Sequence, residues 1–302
     1  MAFPHAGTWL LEAMHFLHSF PTTVKSFILI GAYAIAIGLA ERLSGGQTKQ
    51  YWTRSFWHDL AYWYWKSSGL YRFLLTAALF GVLEPRLALY KGRILAGLPS
   101  IPRVIIFYLI AEFIAYWYHR WQHSNRFLWA FHATHHSQEH LNFLCFTRFH
   151  PIDDFLMDTI PYLPLFVLGG SVQEWAPIFL LHHVLVMIEH SQIRWRFGPL
   201  YYVLVSPTFH SFHHSVQPEH YNRNFGATLS LFDFIFGTAV DQEERPKVYG
   251  LPDIKMPTLA STVYVPFQLV YKWYFQRHPV PNQSPVQDEA RPTSSTVGAV
   301  SS

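Results

Sequence analysis

Thiols are almost missing from this chain. Cys145 is the single cysteine in 302 residues, which excludes an intramolecular disulfide and any multi-thiolate zinc or iron–sulfur site built by one copy. Charge is scarce as well: Asp, Glu, Lys and Arg make up 14% of the residues, against roughly 25% in an ordinary globular domain. So little charge cannot coat a large water-facing surface. A net charge of +3 is too small to argue for nucleic acid as a partner. Between Met1 and Lys25 there is no basic start followed by an apolar core and a small-residue cleavage site, so no cleaved signal peptide is expected. Solenoid-type repeats are absent, as is the two-residue alternation of a membrane barrel. The chain also lacks HExxH, CxxCH and any flavin or nicotinamide fingerprint.

What is present is apolar and aromatic. Half the residues are hydrophobic and 18% are Phe, Trp or Tyr. The apolar residues come in blocks: Phe27–Leu39, Leu70–Leu83, Val104–Tyr118, Phe155–Gly169 and Pro177–Ile188. Such blocks predict helices in a bilayer. Tyr51–Trp65 is aromatic but carries Arg54, His58 and Asp59, and is expected to lie at the membrane interface. Gly169-Gly170-Ser171 should turn the last two blocks into a hairpin, and Asn282–Ser302 should be a disordered tail. The expected fold is therefore all-α: a polytopic membrane helical bundle, with a histidine-rich di-metal cap.

Histidine is the outlier. There are 19, and 13 of them lie between His119 and His214. They form HRWQH (His119, His123), HATHH (His132, His135, His136) and HSFHH (His210, His213, His214). Residues three or four apart share one side of a helix, so each box can aim two or three imidazoles at one point. Eight grouped histidines are too many for one four-coordinate zinc and about right for two metals. His190 follows the hairpin and should return to the same side as a ninth ligand. His182 and His183, on the second arm, are expected to line a cavity at most. Scattered histidines such as His5, His15, His18, His58, His140, His220 and His278 are read as ordinary polar or interfacial residues. An all-imidazole, multi-metal site beside a membrane favours redox chemistry on a lipid. A membrane zinc hydrolase, with Glu139 or Glu189 as base, is the alternative, as is a non-enzymatic metal-binding membrane protein.

In this order, the three boxes resemble those of the fatty acid hydroxylase / sterol desaturase superfamily, and the match is nearest its bacterial sterol desaturase-like branch. The resemblance runs from about Glu112 to Thr238. It includes Glu112 with Tyr116-Trp117-Tyr118-His119-Arg120, Arg148-Phe149-His150-Pro151, Pro207-Thr208-Phe209-His210, Asn224-Phe225-Gly226, and Asp233 through Phe236-Gly237-Thr238. Glu112 stands where that branch more often has Asp. The resemblance implies a di-iron site on the cytoplasmic side that uses O2 to hydroxylate, desaturate or cleave a lipid. It implies His119, His123, His132, His135, His136, His190, His210, His213 and His214 as ligands of two Fe ions. Asn224 and Asp233 would support those ligands from behind, and His150 is expected to support or cap rather than bind metal.

Four segments follow: membrane and interfacial helices over 1–103, the di-iron domain over 104–245, a C-terminal amphipathic segment over 246–281, and the tail over 282–302. Lacking a redox fingerprint of its own, the protein needs a separate electron donor: ferredoxin, cytochrome b5 or a reductase. Arg120, Arg126 and Arg148 are candidate contacts for it. Phe143, Phe146, Phe149 and Trp175 are candidate walls of a lipid cleft. The expected location is an integral position in a bacterial inner membrane or an endoplasmic reticulum membrane. The residues leave open which lipid is oxidised, and whether by hydroxylation or desaturation.

Overall fold

The computed structural model describes residues 22–46, 51–77, 95, 97–168 and 172–276. Outside the described residues lie the expected Gly169-Gly170-Ser171 turn, the tail, the end of the Leu70–Leu83 block, His5, His15, His18 and His278, and the side chain of Trp175. Among the described residues the protein is all-helical, with no strand beyond an isolated bridge between Ser215 and Tyr249.

Helix α1 (Thr22–Leu43) contains the first apolar block. It buries Glu41, whose carboxylate accepts from the Tyr51 hydroxyl and from the Gln192 amide at 2.8 Å. Helix α2 (Arg54–Ser67) starts at Thr53, whose hydroxyl accepts from the Phe56 amide. One face, carrying Asp59, Tyr62 and Trp63, is buried against the histidine-bearing part of the chain. A buried carboxylate must be paired, and Asp59 accepts from Arg148 Nε at 2.6 Å and from Asn142 Nδ2 at 2.7 Å. Helix α3 (Gly69–Thr76) follows at once, capped by Ser68.

Helix α4 (Ser100–Ser124) has 25 residues and a rise of about 37 Å. Among the described residues it is the one helix long and apolar enough to cross a membrane. Ile101, Ile105, Leu109, Phe113, Trp117 and Trp121 form an exposed stripe along its whole length. The buried side carries Phe107, Ala111, Glu112, Ala115, His119 and His123. Asn125 both ends α4 and starts α5 (Arg126–His136): its amide donates to Trp121 O, and its side chain accepts from the Phe127 and Leu128 amides. This reversal sets the first two boxes against each other.

The expected first arm of the hairpin is broken. It comprises α6 (Pro151–Met157), a 3-10 turn (Ile160–Tyr162) and α7 (Leu163–Leu168). Pro161 supplies no amide donor to Met157 O, which disfavours an unbroken helix there. Helix α8 (Val172–Glu189) runs straight into His190. Helices α9 (Pro207–His213), α10 (Leu231–Ile235) and α11 (Leu259–Phe275) complete the chain. Ser206 caps α9, with Pro207 in its first turn. The C-terminal α11 packs Leu269 and Trp273 on Trp129, Ala130 and Ala133 of α5. A second cluster joins Ile37, Trp63, Phe143 and Met187.

Candidate metal centre

The structure brings nine histidines into two adjoining buried groups. His119, His123, His132, His136 and His213 form one, and His135, His190, His210 and His214 the other. Within each group the available ligand atoms all lie within 4.8 Å of one another. The boxes do not each serve one point, as their spacing had suggested. HATHH sends the i, i+4 pair His132 and His136 to the first group and His135 to the second. HSFHH does the reverse, sending His210 and His214 to the second group and His213 to the first. At about 100° per residue, helical residues four apart lie about 40° from each other, and the residue at i+3 falls on the other flank. Each HxxHH box therefore straddles the two groups.

Hydrogen bonds behind the rings decide which nitrogen faces inward. Nδ1 of His119 donates to Phe225 O (2.8 Å), that of His213 to Arg223 O (2.9 Å) and that of His190 to Val186 O (2.8 Å). His135 Nδ1 donates to Arg148 O at 3.3 Å, and His132 Nδ1 to the Asp153 carboxylate at 2.9 Å. Each of these neutral rings keeps a bare lone pair on Nε2. Those lone pairs face one another: His119 and His132 at 3.1 Å, His135 and His190 at 3.4 Å. His210 Nε2 also stands 3.0 Å from Nε2 of both His190 and His214. Two lone pairs cannot bond each other, but a cation between them turns the repulsion into attraction. Ligand nitrogens each about 2.0–2.1 Å from a shared ion stand roughly 3–3.4 Å apart, which matches. In the first group Nε2 of His123, His136 and His213 is buried with no partner at all. These orphaned acceptors fit two metal ions.

The surroundings hold the rings in place. Asp153 also accepts from Gln122 Nε2, and Phe149 stacks on His135 at 4.2 Å and 5°. Asp233 accepts from the Phe225 and Gly226 amides at 2.8 and 2.7 Å, which fixes the loop whose Phe225 carbonyl holds His119. Asn224 bonds Phe209 O and the Val240 amide and sits between the two carbonyls that hold His213 and His119. Gly226 is required here, since a Cβ would meet Leu229 O at 2.4 Å. His150 is spent elsewhere: its Nδ1 caps α6 by accepting from the Ile152 amide, and its Nε2 donates to Val263 O. Asp153, Gln122 and the Phe225 carbonyl were not foreseen from the sequence. Asp153 carried a usable signal, an acid in the first turn of a helix just after Arg148-Phe149-His150-Pro151. Replacing Asp153 with Asn should weaken metal binding roughly 10–100-fold without unfolding the chain. Metal titration of the variant checks this, and an unchanged affinity would remove Asp153 from the site.

Burial pushes the pKa of His132, His135, His136, His210, His213 and His214 well below the ordinary histidine value, with neighbouring imidazoles adding to it in each case. His190 is lowered to about 4 by burial, partly offset by the Val186 carbonyl. In the metal-free protein an unfolded His190 takes up a proton near pH 6.5, whereas the folded one waits until about 4. Stability of the metal-free form should therefore be full above pH 6.5 and fall as pH drops from there towards 4. Denaturant titrations across that range should show a falling midpoint, and a flat profile would contradict the burial.

A narrow cavity of about 80 Å³ reaches both groups at His119, His132, His135, His190 and His210. Phe146 and Phe149 line it as expected, while Phe143 belongs to the core cluster with Trp63. A smaller space of about 30 Å³ meets His123, His136, His213 and His214 from another side. Arg148 is not on a docking face: it is 2% exposed and committed to Asp59 and Ser55. Arg120 stacks on Trp117, and Arg126 is exposed.

Residues 104–238 match the model of a family described as fatty acid hydroxylase. Over 140 residues the chain is 33% identical to an ornithine lipid hydroxylase of Rhizobium tropici, covering 46% of this chain and 42% of that one. It is 30% identical over 166 residues to an alkylglycerol monooxygenase of Xenopus tropicalis, covering 54% and 34%. It is 27% identical over 139 residues to an Arabidopsis thaliana protein named for Delta(7)-sterol-C5(6)-desaturation, covering 45% and 47%. The matched stretch spans less than half the length of each of these relatives. No solved structure matches.

Proposed function

Residues 104–238 belong to the fatty acid hydroxylase family, and from that premise we propose that the protein is a membrane-bound, O2-dependent, non-haem di-iron oxidoreductase that hydroxylates or desaturates a lipid. The observation that carries this reading is the pair of buried imidazole groups at the end of a cavity. The first group would hold one ion through His119, His123, His132, His136 and His213, and the second another through His135, His190, His210 and His214. Iron bound there supplies the oxygen activation that breaking an unactivated C–H bond requires. The protein's own part is positional. Burial keeps five imidazoles neutral, and Asp153 and the carbonyls of residues 148, 186, 223 and 225 hold the ring proton on Nδ1 so that Nε2 is aimed inward. The narrow, largely apolar cavity admits an alkyl segment and leaves little room for bulk water.

Membrane residence is supported by α4, whose exposed stripe from Ile101 to Trp121 is apolar and ends in tryptophans, the residues favoured at bilayer surfaces. We place the protein in a bacterial inner membrane or endoplasmic reticulum membrane, with the metal site on the cytoplasmic side. Relatives named for an ornithine lipid, an alkylglycerol and a sterol make a lipid the substrate class. A separate reductant is required, and Arg126 with Arg120 stands as its candidate contact.

Zinc hydrolysis is the weaker reading: of its two candidate bases only Glu189 lines the cavity, and it stands behind the ligand rings. Glu139 lines a different groove, beside His140 and Arg194. Glu189 approaches His190 and His210 from the Nδ1 side, at 3.5 and 3.9 Å, behind the converging nitrogens. Purified protein should contain iron and consume oxygen when lipid and a reductant are supplied. Protein that holds only zinc after growth in iron-rich medium, and takes up no oxygen, would sink the proposal.

A further inference from the structure

The cavity that reaches the histidine groups is also lined by two histidines that belong to neither, His182 and His183. His182 lines it from α8, opposite Glu112 on α4. Glu112 is 3% exposed, and its carboxylate is fully engaged. Oε2 accepts from the Thr228 and Leu229 amides at 2.9 and 3.2 Å, and Oε1 lies 2.9 Å from His182 Nδ1. A carboxylate held by two backbone amides can only accept, so the imidazole proton sits on Nδ1. In the neutral ring the other nitrogen, Nε2, carries a lone pair, and His182 makes no other hydrogen bond among the described residues. Its side chain is 21% exposed, enough to reach the cavity. Ala111, next to Glu112, and Ala115, about one turn after it, keep the neighbouring wall small. Such a carboxylate–imidazole pair fixes ring orientation and tautomer in advance.

We propose that His182, oriented by Glu112, is the subsite for a hydroxyl group on the lipid substrate, which donates to Nε2. Glu112 is a positioning residue, and His182 touches the ligand. The subsite rests on the reading of this cavity as the lipid cavity. Glu112 and His119 are seven residues apart on α4, about 10 Å along its axis, which places the subsite roughly two helical turns from the first histidine group. The ligand class is thus a lipid that carries a free hydroxyl about that far from the carbon to be oxidised. A plain hydrocarbon, or a chain whose oxygen is capped as an ether, leaves Nε2 buried and unpaired and is disfavoured.

The test compares hexadecanol with its methyl ether, by equilibrium binding to the metal-loaded protein in detergent micelles. The parent should hold the alcohol about tenfold more tightly than the ether, the worth of one hydrogen bond in a water-poor site. His182→Leu should bind the two equally. Glu112→Gln should also lose the preference, for a different reason: its amide donates to Nδ1, moves the ring proton to Nε2, and turns an acceptor into a donor. A merely structural Glu112 would not shift selectivity this way. Metal content reports integrity, and if Glu112→Gln loses metal, His182→Leu decides alone. Equal binding of alcohol and ether by the parent, binding of neither, or a preference that survives His182→Leu overturns the subsite. Oxygen uptake is a separate readout: its absence beside an intact alcohol preference would sink the oxidation reading and leave this subsite standing.

Discussion

The His135→Ala protein is expected to purify with about half the metal of the parent and to lose more lipid oxidation than the roughly 10–100-fold that outer partners cost. The reason lies in how the nine rings are shared. His135 is one of only four imidazoles in its group, so its loss leaves three. The first group has five, so His123→Ala leaves four and should retain metal better. Two further effects add to the His135 loss. Its ring is the stacking partner of Phe149, and its Nε2 faces that of His190 at 3.4 Å. Removing it opens a void between the cavity wall and the second group, which water can enter. Metal analysis of both variants, with circular dichroism as a check on folding, measures the difference. Full metal occupancy in His135→Ala, or equal losses in the two variants, would contradict the division into groups of four and five.

The second large effect is expected away from any metal ligand. Asp59→Ala should lower stability by about 3–5 kcal/mol, the usual result of stranding a buried charge. Asp59 is fully buried and Arg148 is 2% exposed, so neither is relieved by water. Arg148 would keep its bonds from Nη2 to Ser55 O and Oγ, at 2.6 and 2.8 Å, but lose its counter-charge. Asn142 Nδ2 would lose the carboxylate too, and the loop through Cys145 would loosen, because Asn142 and Arg148 at its two ends both bond the side chain that is removed. That loop ends at the Arg148 carbonyl, which accepts from His135 Nδ1. The same substitution should therefore weaken metal binding in the second group. Asp59→Asn keeps an acceptor and should cost less. Denaturant unfolding of the two variants tests this, and an unchanged midpoint for Asp59→Ala would show that α2 does not anchor the site.

Much of the centre was legible in one dimension because its ligands come in helical spacings. His119 and His123, four apart, had to share a side of any helix that carried them. Even the division of HxxHH between two groups follows from angles along a helix, although the spacing was first read as one point per box. Arg148 shows the opposite case. Beside Phe149 and His150 it looked like one more basic loop residue. Its burial depends on Asp59, far away in the chain, and no local pattern announces such a partner. Tyr51–Trp65 is alike in this, since nothing within the segment says that its acid, Asp59, pairs with Arg148. The Phe155–Gly169 block was apolar enough for a helix, but Pro161 broke it.

Composition and spacing by themselves determined that this chain is helical, apolar and supplied with imidazoles grouped as metal ligands would be, because those properties depend on residue types and on distances of three and four along one helix. Tertiary structure alone decided which rings meet, which nitrogen of each faces inward and which carbonyl or carboxylate stands behind it. Those depend on hydrogen bonds such as His119 to Phe225 and His132 to Asp153. Their partners are far enough apart in sequence that only folding brings them within 3 Å.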